Sequence, residues 1–125
     1  MRGIAFLFFV SAVIYVLAGM ILGIEMSASQ DHSFAPVHAH LNLIGWVTMG
    51  MFGIYYHLVP EAGESGLAKV HFAIATIGLW LIVPGIALAI REVTEVLAIA
   101  GSFLTVLSLA LFLFIVFKTR KPAIA

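Results

Sequence analysis

The side chains able to do chemistry gather in one short stretch, where His32, His38, His40 and Asn42 follow one another with Glu25 and Asp31 close by. An imidazole nitrogen at such a place suits haem iron, copper or zinc. His38 and His40 stand two residues apart, which on an α-helix turns them by ~200°, so they cannot grip one ion from a single face. They must address different neighbours, and Asn42, one turn below His38, shares its face. Either imidazole could instead be an interfacial polar group hydrogen-bonded to an adjacent helix. His57 and His71 form a second group, separated from His38 by ~28 Å of helical rise, so the two groups cannot share one small cofactor. They could bracket a site of their own. Their neighbours Tyr56, Glu61, Glu64 and Lys69 make interfacial polar residues the expected reading. Met20 and Met26 lie at the depth of the first group; thioether with imidazole suits Cu(I), although methionine also fills cores.

Composition decides what surrounds these groups. Hydrophobic residues make up 63% of the 125, and charged residues 10%, against ~45–50% and ~25% in soluble domains. The chain is therefore expected in a bilayer. Six Lys plus Arg balance six Asp plus Glu, which leaves no basic excess for a nucleic-acid backbone. The absence of cysteine excludes disulfide frameworks, thiolate metal sites, Cys nucleophiles and covalently attached c-type haem.

The elements that must position the histidines follow from four runs without Asp, Glu, Lys or Arg, at about 4–24, 36–59, 70–90 and 96–117. Each is long enough to cross ~30 Å of hydrocarbon, and only helices satisfy their own backbone there one segment at a time. The expected fold is an all-α membrane protein, a single four-transmembrane-helix bundle over residues 1–125. Arg2, Lys69, Lys118, Arg120 and Lys121 fall on one side and Arg91 on the other, so both termini are expected in the cytoplasm. The first run exceeds the length of a signal-peptide core and is read as a retained helix. Gly19 and Gly23 form a GxxxG, while Gly45, Gly50 and Gly53 give the second run places for close backbone approach. Pro84 before Gly85 is expected to kink the third run. Phe6, Phe8, Phe9, Phe112, Phe114 and Phe117 are expected to pack or meet lipid.

The stretch from His38 to Glu61, HAHLNLIGWVTMGMFGIYYHLVPE, resembles the second transmembrane helix of subunit I in the haem-copper oxidase superfamily, most of all in nitric oxide reductases. The resemblance rests on His38 or His40, Asn42, Trp46, Gly53, Tyr55 with Tyr56, and Pro60 with Glu61, and the first run with Tyr15 is compatible with it. It implies an axial ligand of a low-spin haem at His38 or His40. The further histidines from which the family builds its oxygen- or nitric-oxide-reducing centre are not matched, so a complete oxidase or reductase centre is not expected in one chain. The leading expectation is a b-type haem protein of the bacterial inner membrane, in electron transfer or binding of O2 or NO, with cofactor contacts at His38, His40, Asn42 and Trp46. A haem-free copper or zinc protein using His32, His38 and His40 stands as the alternative. So does an assembly subunit without cofactor. A six-coordinate haem needs two axial ligands, and the second is expected from another copy in a homo-oligomer or from His32; any redox partner is left open by the sequence.

Overall fold

The computed structural model describes residues 1–122. The chain is helical throughout, with α1 (Gly3–Ser29), α2 (Ala35–His40), a π segment (Leu41–Thr48), α3 (Met49–Leu58), α4 (Pro60–Gly63), α5 (Gly66–Ile90) and α6 (Val96–Lys118). There is no strand among the described residues. Three helices, α1, α5 and α6, are long and apolar enough to cross a membrane, matching the first, third and fourth runs. The second run differs from the expected single helix. It is built from α2, the π segment and α3, consecutive along the chain, none of which reaches membrane length alone.

Local chemistry sets the ends. α1 continues past the apolar run to Ser29 and stops at Gln30, whose φ of 59° is left-handed and whose amide donates to the Ser27 carbonyl at 2.6 Å. The Ser65 hydroxyl caps α5 by accepting from the Ala68 N–H at 3.2 Å, which satisfies one of the free donors of a first helical turn. α5 runs unbroken through Pro84.

The helices associate as two pairs. α5 and α6 form an antiparallel hairpin in which backbones nearly touch: a Cβ on Gly85 would fall on the Ala98 nitrogen, and one on Gly101 on the Ile82 nitrogen. Without a hydrophobic drive between helices in lipid, such contacts supply the packing energy. α1 packs along the π segment and α3. The pairs meet around Phe8, Met49, Phe52, Tyr56, Ala75 and Ile115, all buried. At one end, called outer after the expected orientation, the Arg91 guanidinium lies 4.9 Å from the Phe34 ring centre. At the other, the inner end, Lys121 Nζ is 3.5 Å from a Glu61 carboxylate oxygen.

Candidate functional site

The GxxxG of α1 makes a notch, and the second run fills it with polar side chains. A Cβ on Gly19 would fall on the Asn42 carboxamide oxygen, and one on Gly23 would lie 3.0 Å from His38 Cε1. The His38 ring thus lies against bare backbone of α1. Its Nδ1 is 2.9 Å from the Gly19 carbonyl, an acceptor only, so Nδ1 carries the proton and donates it. Nε2 then holds the lone pair, and the Asn42 amide donates to it at 3.2 Å. The Asn42 oxygen is buried with no partner among the described residues.

His40 turns elsewhere, as the two-residue spacing predicts. Its Nδ1 donates to the Pro36 carbonyl one turn back, at 2.8 Å, so its lone pair also sits on Nε2. That nitrogen has no partner among the described residues, and the contact lies on the exposed side of the helix. His32 is exposed in the preceding turn, where its carbonyl accepts from Ala35 N–H at 3.0 Å. His32, His38 and His40 are not brought together: no group of three or more His, Asp or Glu side chains able to hold a metal forms among the described residues.

Trp46 lies in the π segment and meets Phe9 of α1 edge-on, ring centres 6.3 Å apart. In that segment hydrogen bonds close five residues back. Thr48 Oγ1 adds one of the same span to the Leu43 carbonyl at 2.9 Å. Single π turns concentrate at functional sites, and this one begins directly after His40. Asp31, in the outer turn, accepts from the Ser33 N–H at 3.0 Å. That backbone donor first, and the Ser33 hydroxyl second, hold its carboxyl below the usual carboxylate range.

The inner group corrects the expectation drawn for it. His57 is exposed, but His71 is wholly buried, at 0%. Its ring stacks on Phe112 at 5.5 Å and 20° and meets the edge of Phe52 at 4.5 Å, with Phe8 at 5.2 Å. Both ring nitrogens are engaged, Nδ1 with the Tyr56 hydroxyl at 2.8 Å and Nε2 with the Ser108 hydroxyl at 3.1 Å. Reading the sequence alone missed this centre, because its walls come from α1, α3 and α6. One signal was available, the run of hydroxyl residues Ser102, Thr105 and Ser108 on the apolar α6, of which Ser108 is the one at mid-length.

His40 is the histidine here whose fixed tautomer leaves Nε2 open, and so would be the residue to hold a haem group. A ligating histidine characteristically donates its second ring N–H to a carbonyl or carboxylate. His40 does so to Pro36 and leaves Nε2 unpartnered, whereas His38 Nε2 is covered by Asn42.

The fold and composition define a multi-pass helical membrane protein. An alignment 47 residues long, covering 33% of the chain, is 43% identical to the Cbb3-type cytochrome c oxidase subunit CcoN1 of Stutzerimonas stutzeri and covers 10% of that protein. This is a distant relationship to haem-copper oxidase subunit I, of which the chain matches about a tenth of the length. No family model matches the chain, and no solved structure matches it.

Proposed function

We propose that the chain is a b-type haem protein of the bacterial inner membrane, serving one-electron transfer or the binding of O2 or NO. It crosses the membrane four times with both termini cytoplasmic, and His40 supplies the axial nitrogen. One observation carries the reading: the unpartnered Nε2 of His40, its tautomer set by the Pro36 carbonyl, on an exposed side of the second run. The distant likeness to an oxidase subunit adds to it. In this reading His38 and Asn42 seat the second run on α1, and Trp46 braces it against Phe9. A bound haem iron supplies reversible one-electron chemistry or an exchangeable gas site, tuned by axial ligand and burial. The chain's own part is to hold one imidazole at fixed tautomer and orientation. A second holding imidazole would come from His40 of another copy, making the working unit a homo-oligomer, with the exposed His32 of the same chain as the alternative source.

The test is the absorption spectrum and pyridine haemochrome of the purified, unsupplemented protein in mild detergent, with copper and zinc measured alongside. A Soret band with haem b at one per two chains is expected. A colourless protein with stoichiometric copper or zinc would overturn the haem reading in favour of the metal one. A colourless, metal-free protein would leave the histidines only their hydrogen bonds.

A further inference from the structure

The basic side chains of the inner end fall into two groups. Lys118, Arg120 and Lys121 follow one another at the end of α6, where Lys121 pairs with Glu61. Arg2 and Lys69 stand instead at the starts of α1 and α5, both exposed. The one ion pair among the described residues, Lys121 with Glu61, uses neither of them.

A crevice runs past both. It consists of two adjoining cavities that share Gly3, Ile4, Gly63 and Glu64 on their walls. The first, of about 480 Å³, is bordered also by Arg2, His57 and Pro60. The second, of about 510 Å³, lies between the starts of α1 and α5 and is bordered also by Lys69, Leu7 and Phe72. Leu7 and Phe72 each stand three residues further along their helices than Ile4 and Lys69, ~4.5 Å deeper, so the wall turns apolar away from the cations. Leu7 is 44% exposed, and this wall is therefore not filled by the protein itself. α1 begins here with no side-chain cap and no acidic residue in its first turn, so the positive end of its dipole is not offset. Glu64 is the one carboxylate on the crevice, against two permanent cations.

Cations at the rim and hydrocarbon deeper in match an amphiphile with an anionic head. We infer that the crevice binds one anionic phospholipid, with Arg2 and Lys69 supplying the charge that meets its phosphate and with Ile4, Leu7 and Phe72 lining the path of an acyl chain. A free phosphate ion would satisfy the cations and leave the apolar wall bare, so the occupant is the lipid. Lys118 and Arg120 border neither cavity, which separates this site from the general positive charge of the inner end. It is independent of any cofactor at the outer end.

The test is native mass spectrometry of the full chain in mild detergent, titrated with palmitoyl-oleoyl phosphatidylglycerol and, separately, with palmitoyl-oleoyl phosphatidylcholine. One Lys or Arg near a membrane surface strengthens the hold on an anionic head about fivefold, so two opposed by one Glu leave a preference of roughly fivefold for phosphatidylglycerol. The double variant Arg2→Gln with Lys69→Gln is expected to bring that preference down to none. Lys118→Gln with Arg120→Gln is expected to keep it, and millimolar inorganic phosphate is expected not to displace the bound lipid. Glu64→Gln should raise the preference severalfold, a gain that no loss of folding imitates. Equal affinity for the two lipids, an equal loss in the two double variants, or displacement of phosphatidylglycerol by phosphate would each overturn the proposal.

Discussion

The two ends of this bundle use the same side chain in opposite ways. At the outer end His38 and His40 each rest Nδ1 on a backbone carbonyl, of Gly19 and Pro36, and each is thereby locked with its lone pair on Nε2. At the inner end His71 lies between two hydroxyls and is locked in neither form. Burial also differs, His71 being buried and His38 and His40 half-buried, but burial does not fix a tautomer. The chemistry of the bonding partner does set the tautomer: an acceptor-only carbonyl fixes the lone pair of His38 and His40 on Nε2, whereas a hydroxyl on each nitrogen of His71 fixes neither form.

The comparison breaks most severely if the inner centre is removed. His71→Ala leaves the hydroxyls of Tyr56 and Ser108 without their partner in a dry, ring-lined space and opens a cavity. Cavity formation and lost hydrogen bonds together are expected to cost roughly 2–5 kcal/mol, read from reversible unfolding in mixed detergent micelles. A loss within error of zero would mean that the centre is not packed as described. At the outer end the largest effect comes from Gly19→Ala, whose methyl would land on the Asn42 carboxamide. Asn42 can give way only by leaving His38, so overpacking of about 1–3 kcal/mol is expected. The same assay with an Asn42→Ala background should recover most of it, since the clash is then gone.

These cases also show what the sequence could and could not disclose. The spans of α1, α5 and α6 were legible because unbroken apolar runs of that length have one solution in lipid. The divergence of His38 and His40 was legible because helical pitch alone turns them apart. The break of the second run into α and π segments was not, since Leu41–Thr48 carries no residue that by itself demands bonds five residues back. His71 reads as interfacial in the sequence because Tyr56, Glu61, Glu64 and Lys69 stand near it, while its true surroundings, Phe8, Phe52, Phe112 and Ser108, are far away in the chain. Periodicity along one helix cannot report what three other helices deliver to it. The Gly19 and Gly23 pattern was legible as a contact, yet that the contact is with His38 and Asn42 depended on register between helices.

A smaller effect sharpens the inner half of the comparison. Tyr56→Phe keeps the ring stack on Phe8, 5.5 Å away, and removes one interhelical hydrogen bond, worth about 0.6–1.7 kcal/mol in membranes. Stability should fall by that much in the unfolding assay, far less than for His71→Ala. The smallest effect lies in the outer turn. The Asp31 carboxyl is held below its usual range by the Ser33 N–H, so the bond is complete above the ordinary Asp value of ~3.9 and is lost as pH falls through the depressed one. The Ser33 amide resonance should titrate with a midpoint below that of a free Asp, and Asp31→Asn should abolish the titration.

The central claim is that the open Nε2 of His40, and not the covered one of His38, meets the iron. Haem content of His40→Ala, compared with the unaltered protein at equal helicity by circular dichroism, tests it most directly. The account predicts that the Soret band disappears while the helices remain. A His40→Ala protein that keeps its full complement of haem b would contradict it.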